Sequence, residues 1–391
     1  MWKFCRLLTL ALAAMLMLTS LAFAEIEACP PVETSVRGIP KFGHLILDIS
    51  GDALLDLGYE YGDIVTAELC GRTLEMPVCD HYSDVDVGAM VLHVVPSGET
   101  QTGSAELCIN MGALAAWLGI AQKVTIEEAP GYRWDYAEAW REGIPVRLSL
   151  KEKGGYLEQL ALHQLKMSKS REDYPGLTDE QYANFRNVAT TGMGAFALYR
   201  SSSPVNPAYN RNREADAAVN AAGIRTVLNL ADSEAVMKGY EDYAYTYYSG
   251  LDVMPLDMVV SFEDPVFQSA LAEGCRFLAS HEGPYLVHCN LGKDRAGFTV
   301  AVLECLMGAT ADEVVADYML SYYNYYGIEP GTEQYEAIVD ANIRRFIPRA
   351  FGIESLEAAD LAASAEAYLE GIGLTSEEIA ALKDCLGTDI Q

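Results

Sequence analysis

One segment restricts the folds open to this chain more than any other. Tyr285-Leu286-Val287-His288 is an apolar run, Cys289 to Arg295 is a seven-residue stretch holding Gly292, and Ala296 to Met307 is apolar with helical character. A strand that passes through so short a loop into an apolar helix belongs to layered α/β structure, in which helices cover a sheet. The stretches before it alternate accordingly: strand-like Phe196–Tyr199, helical Ala215–Ala222, strand-like Thr226–Leu230, helical Pro265–Ser280 and strand-like Pro284–His288. Such alternation predicts a mostly parallel sheet flanked by helices, with any ligand beyond the carboxyl ends of the strands. Thr178-Asp179-Glu180-Gln181, Thr310-Ala311-Asp312-Glu313 and Thr375-Ser376-Glu377-Glu378 have capping-box spacing and mark three helix starts.

The loop carries chemistry as well as topology. Where a loop closes on a helix N-terminus, successive backbone N–H groups point into one concavity, and they and the helix dipole favour a phosphate there. Gly292 and Gly297 permit the turn and the close approach. Arg295, in the first helical turn, offers a planar fork for two phosphate oxygens, and the same positive field favours a nucleophilic thiolate at Cys289. The amides of Asn290, Leu291, Gly292, Lys293, Asp294 and Arg295 are candidate phosphate donors, and His288 with Gly297 candidate loop supports. A core cysteine beside a capping arginine would not need the histidine, both glycines, the strand and the helix together. Protonating a leaving alcohol also needs a carboxyl from a neighbouring loop. Asp257, within Met254-Pro255-Leu256-Asp257-Met258, is the first candidate and Asp294 the second, with Asp252 and Asp232 behind them; each also fits a turn or cap.

His288 to Arg295 resembles the H-C-x5-R signature of protein tyrosine and dual-specificity phosphatases. Gly292-Lys293-Asp294-Arg295 resembles the bacterial subgroup related to secreted tyrosine and phosphoinositide phosphatases, as do the upstream landmarks Asn184-Phe185-Arg186-Asn187, Leu198-Tyr199-Arg200-Ser201-Ser202 and Gly223-Ile224-Arg225-Thr226-Val227. The resemblance covers about Thr178 to Phe346. It implies Cys289 as phosphocysteine nucleophile, Arg295 as phosphate clamp, the amides from Asn290 to Arg295 as oxyanion donors, and no metal or cofactor. It also implies that Lys293 adds charge toward a multiply phosphorylated substrate such as an inositol phosphate or phosphoinositide. The spacing of Asp257 before Cys289 is similar to the acid-loop separation of dual-specificity phosphatases. One position departs from the family: Ala296 stands where a Ser or Thr hydroxyl usually helps the thiolate leave, a part that Thr299 or a water would have to take.

The remainder of the chain, 391 residues in all, is long enough for a second domain. Lys3 and Arg6 precede an apolar run from Leu7 to Ala24 ending Ala22-Phe23-Ala24, which reads as a signal peptide over residues 1–24, an uncleaved membrane anchor being the alternative. That leader predicts a secreted or cell-envelope protein, bacterial by the resemblance, with no integral membrane segment after cleavage. Residues 35–150 break into short strand-like stretches, His44–Ile49, Ile64–Leu69, Thr73–Val78 and Val91–Val95, with one helix near Met111–Leu118. This predicts a smaller β-rich domain, and Phe42 to Ile49 with Gly62-Asp63-Ile64-Val65 resembles the β-barrel of SAM hydroxide adenosyltransferases. Residues 151–177 form a candidate linker, 178–348 the α/β domain and 349–391 a helical extension packed on it.

A net charge of −29 excludes nucleic-acid or anionic-membrane binding through the overall field, so an anionic ligand needs a local basic site. Arg186, Arg200, Arg211 and Arg213 cluster in the one stretch where such a site is expected, against a solvated arginine-rich loop. Cys70, Cys79 and Cys108 offer one bridge in an oxidising exterior. The tyrosines at 240–248 and 318–326 read as packing residues before an aromatic slot. The expected activity is that of an exported phosphomonoesterase acting on phosphotyrosine, phosphoinositide or inositol phosphate. A catalytically weak phosphate-binding docking module is the alternative, and sulfur transfer through Cys289 a third reading that would not need Arg295.

Overall fold

The computed structural model describes residues 29–98, 101–125, 132–165 and 167–390, so the proposed leader lies outside the described residues. In the first half, β1 (Val32–Gly38), β2 (Leu45–Leu47), β3 (Ile64–Leu69), β4 (Arg72–Cys79), β5 (Met90–Gly98), β6 (Gln101–Ile109), β7 (Ala121–Thr125), β8 (Tyr132–Tyr136) and β9 (Pro145–Glu152) follow one another. Seven of them close into a barrel in the order β1-β2-β6-β5-β4-β3-β9, and β7 pairs with β8 apart from it. Alternation builds the barrel: in β3, Val65, Ala67 and Leu69 are buried while Thr66 and Glu68 face outward. Leu45, Leu47, Leu92, Val94 and Leu107 join them in one interior. The expected helix near Met111–Leu118 is the single turn Leu114–Trp117, and a helix over Gly51–Asp56, capped by Ser50, was not foreseen. Cys70, Cys79 and Cys108 are free thiols, so the expected bridge is absent.

The second half is a sheet of β10 (Arg186–Asn187), β11 (Leu198–Ser201), β12 (Thr226–Asn229), β13 (Asp252–Pro255) and β14 (Tyr285–His288), ordered β10-β11-β14-β12-β13. β11, β14, β12 and β13 run parallel and β10 is an antiparallel edge. All four residues of β11, β12 and β14 are buried, as parallel strands covered on both faces must be. The helix Asp294–Met307 is buried from Arg295 to Leu306. A helix apolar all round needs cover on its far side as well, and the helices Leu361–Gly371 and Ser376–Gly387 provide it, with Leu361, Ala365, Leu369, Leu382 and Leu386 in the core that holds Phe298, Val302 and Leu306. The C-terminal tail is thus an outer layer of the α/β core. All three capping boxes form as their spacing predicts.

The segment between the two halves is packed. It carries the helix Leu157–His163, with Leu160 buried, and Tyr174 donates its hydroxyl to the Tyr325 carbonyl at 3.1 Å. The barrel itself meets the α/β half: Val87 enters the α/β core, its amide donates to the Ala341 carbonyl at 3.2 Å, and Asp86 pairs with Arg345. Among the described residues no helix is long and apolar enough to cross a membrane.

Candidate active site

Cys289 follows β14 directly, at the carboxyl end of a strand flanked by parallel partners, where an open α/β sheet presents its ligands. The loop from Cys289 to Arg295 is held from outside by its carbonyls. Asn290 O accepts from the Ser203 amide at 3.1 Å, and Leu291 O accepts from Asn184 Nδ2 at 3.0 Å and from the Tyr325 hydroxyl. Gly292 O accepts from Arg200 Nη2 at 2.7 Å and Lys293 O from the same nitrogen at 3.3 Å. In a planar trans peptide the C=O of one residue and the N–H of the next point in opposite directions. Four outward carbonyls therefore turn the amides of Leu291, Gly292, Lys293 and Asp294 inward, and no amide from Asn290 to Arg295 is taken up by a described backbone carbonyl outside the helix ladder.

The glycines are required by contact. At Gly292, φ is +63° and an added Cβ would stand 2.1 Å from Ser201 O; at Gly297 one would stand 2.8 Å from the Tyr318 ring and 3.1 Å from Arg200 Nη2. Arg295 donates Nη1 to Leu230 O and Met258 O, both at 3.1 Å. Those two bonds orient the guanidinium and leave its other edge for an anion.

Arg200 and Arg186 bind Asp317 from two sides, at 2.5 and 2.7 Å, and Arg186 Nη1 reaches Asn184 Oδ1 at 2.8 Å. Arg200 is fully buried, and Arg211 is buried among the rings of Tyr174, Tyr182 and Tyr325. Arg213 is exposed beside Asp242. Arg200, with Arg186 through their shared Asp317, therefore braces the loop from behind, while Arg211 is buried and Arg213 is exposed, so the four do not form the anion site expected from the sequence. Burial opposes a charge on Asp317, but Arg186 and Arg200 outweigh it and hold the carboxyl below the usual range.

His288 is buried, with Nδ1 3.3 Å from Cys289 O and Nε2 2.8 Å from the Tyr248 hydroxyl. A carbonyl can only accept, so Nδ1 carries the proton and Tyr248 donates to Nε2. Burial lowers its pKa to about 4, which makes it a neutral support of the loop. In the unfolded chain its pKa is about 6.5, so between those values the unfolded state binds the proton and the native state does not. Stability contributed here is present above about pH 6.5 and is lost as pH falls toward 4, by at most about 3 kcal/mol. In melts across this window His288→Asn should therefore flatten the part of the slope that His288 supplies.

The two candidate acids sit differently. Asp257, two residues beyond β13, adopts a left-handed backbone, φ +44°, with its amide 3.2 Å from Asp232 O and its carboxylate ion-paired to Lys41 of the barrel. The next residue, Met258, is the one whose carbonyl holds Arg295, so this loop borders the cradle. Asp294 lies 3.5 Å from Lys293 Nζ, and Lys293 is buried over the rings of Tyr322 and Tyr326 at 4.9 and 5.4 Å. Asp232 is committed to Asn229 and Tyr240, and Asp252 opens β13, at the opposite end of that strand from Asp257.

Several supports escaped sequence reasoning, chiefly Asp317, Tyr325, Tyr248 and Ser203. One signal was available: Asp317, Ser321 and Tyr325 repeat every four residues, a polar stripe on one face of the helix Ala311–Tyr326. Nothing in the sequence announced that the barrel would reach the site, yet Tyr82 and Ser83 line one cleft with Asp294 and Tyr322. A cavity of about 640 Å³ lies elsewhere, between barrel and α/β half against Trp117, Trp134, Phe262 and Phe346, and contains no residue of the loop.

A cysteine at the end of a central parallel strand, a cradle of inward amides and an arginine in the following helix are the arrangement that a cysteine-dependent phosphatase site requires. Residues 180–388 match the model of the tyrosine phosphatase family, more than half of the chain, and the chain belongs to that family. The match takes in the two C-terminal helices. Among solved structures, the core catalytic domain of the PP-IP phosphatase SIW14 from S. cerevisiae is 20% identical over 44% of this chain and 96% of that one, with a TM-score of 0.28. An uncharacterized conserved protein from Thermotoga maritima is 19% identical over 30% of this chain, with a TM-score of 0.23, and the match spans 36% of its length. A conserved hypothetical protein from Thermus thermophilus is 24% identical over 32% of this chain and 37% of that one, with a TM-score of 0.19. No curated protein matches the chain.

Proposed function

We propose that the chain is an exported phosphomonoesterase that works through a phosphocysteine on Cys289 and accepts multiply phosphorylated inositols or phosphoinositides as well as phosphotyrosine. The observation that carries this reading is the set of outward-tied carbonyls from Asn290 to Lys293, which aims the loop amides at a tetrahedral anion above Cys289. The thiolate attacks phosphorus, the ester oxygen departs with a proton from the acid, and water then displaces the thiolate as orthophosphate forms. Thr299, buried with its hydroxyl free of any described protein partner and one turn beyond Arg295, is the group proposed to supply what Ala296 lacks. Lys293, buried beside Asp294 with its ammonium over Tyr322 and Tyr326, is the charge proposed to favour multiply phosphorylated substrates.

The test is phosphate release from phosphotyrosine peptide, phosphoinositide and inositol hexakisphosphate, with acid-quenched trapping of a phosphoenzyme. A label on Cys289 with release from at least one ester is expected; absence of both, with phosphate still bound, would leave only a docking module. For the acid, Asp257→Asn should slow phosphotyrosine turnover by about 10²- to 10⁴-fold while sparing p-nitrophenyl phosphate, whose leaving group needs little protonation. The same selective loss in Asp294→Asn alone would transfer the role. Export is read from the leader, and a mature N-terminus near Glu25 is the expected outcome of N-terminal sequencing from the native host.

A further inference from the structure

Away from the catalytic loop, the barrel gathers four metal-ligating side chains on its outer face. β2 and β5 flank β6, with Ile46 and His93 both opposite Glu106. Leu107 points into the barrel core, so its neighbours Glu106 and Cys108 project together to the other side. Glu106 Oε2 lies 3.5 Å from His44 Nδ1 and 3.8 Å from His93 Nδ1. The donor atoms of His44, Glu106 and Cys108 all fall within 4.8 Å of one another.

The two contacts to Glu106 are longer than the usual about 2.7–3.2 Å of a hydrogen bond, and pairing with the two imidazoles holds its carboxyl below the usual carboxylate range. The separations approach those of ligands around a single ion. A tetrahedral zinc with nitrogen and oxygen at about 2.0–2.1 Å and sulfur at about 2.3 Å keeps its ligand atoms about 3.3–3.6 Å apart; His44 and Glu106 already stand at 3.5 Å, and His93 and Cys108 would have to close in. The surroundings orient the donors. His93 Nε2 lies 3.2 Å from Asp80 O and so carries the proton, which leaves Nδ1 with its lone pair, buried and without a hydrogen-bond partner. Ser104 Oγ donates to Glu106 Oε1 at 3.2 Å, leaving Oε2 for an ion.

We propose that His44, Glu106 and Cys108, with His93 as fourth donor, bind one divalent ion of the zinc class. Four protein donors make a closed set of the structural kind. The ion ties β2, β5 and β6 together behind the turn that carries Tyr82, whose ring lies 6.4 and 6.3 Å from those of His44 and His93 and which lines the cleft with Asp294. It would set the wall of the catalytic mouth without touching the reacting atoms.

The experiment is a cobalt(II) titration of the metal-stripped chain carrying Cys289→Ser, which removes the catalytic thiol as a competing ligand. The expected result is a single equivalent bound, with tetrahedral d–d bands and a near-ultraviolet thiolate-to-cobalt band. Cys108→Ser should erase only the thiolate band, and Glu106→Gln, nearly isosteric, should weaken binding by at least about tenfold. Absence of cobalt bands in the Cys289→Ser chain, or unchanged affinity in a folded Glu106→Gln chain, overturns the proposal.

Discussion

Cys289→Ser should leave a folded protein that still binds orthophosphate and releases none from any ester, a loss of at least about 10⁴-fold in turnover. The cradle does not depend on the thiol. Its shape comes from carbonyl bonds to Ser203, Asn184, Tyr325 and Arg200, and its positive character from amides and Arg295, none of which the substitution touches. A serine hydroxyl is a far weaker nucleophile than a thiolate in the same field. Titration calorimetry with phosphate or vanadate, beside turnover on the best ester, separates the two effects. Residual activity above about a hundredth of wild type would remove Cys289 from the role of nucleophile.

Asp317→Ala should cost about 3–5 kcal/mol of stability, since it strips the counter-charge from two buried arginines. Denaturant unfolding measures it, and a cost below about 1 kcal/mol would mean that the arginines find other partners. Turnover should fall as well, because Arg200 is the donor to the Gly292 and Lys293 carbonyls and loses the anchor that aims it. The pH dependence has a definite sign. The folded carboxyl is held below its unfolded value of about 3.9, so Asp317 contributes stability above about pH 4 that is lost as pH falls through the lowered folded value. In the alanine variant that acid limb should flatten.

The barrel changes how the proposed site is expected to meet a phosphorylated ligand. Lys41 engages Asp257, and Tyr82 stands over the cleft beside Asp294. Both candidate acids therefore lie where the two halves meet, and the β-rich domain forms part of the wall of the catalytic mouth.

Much of the site was legible because its central piece is contiguous in sequence. Strand, loop and helix occupy Tyr285 to Met307 in unbroken order. A phosphate cradle at a helix N-terminus is a local object, so residue types and spacing there carry the chemistry directly. The barrel was legible as alternation, and the capping boxes as four-residue patterns. The arginine cluster misled because burial is not a local property: the same residue type serves as anion site or as buried brace according to what packs around it. The C-terminal helices read as an extension because nothing in their own sequence says which core they cover.

By itself, then, the sequence determined the parallel α/β class, the nucleophile and clamp candidates at Cys289 and Arg295, and the β-rich first half, since each depends on periodicity or spacing within a few residues. Only the tertiary structure decided that the barrel closes, that Asp317 with Arg186 and Arg200 backs the loop, and that barrel residues wall its mouth. Those contacts join positions far apart in the chain, as Asn184 to Leu291 across 107 residues shows, and such pairings exist only once the elements between them have folded.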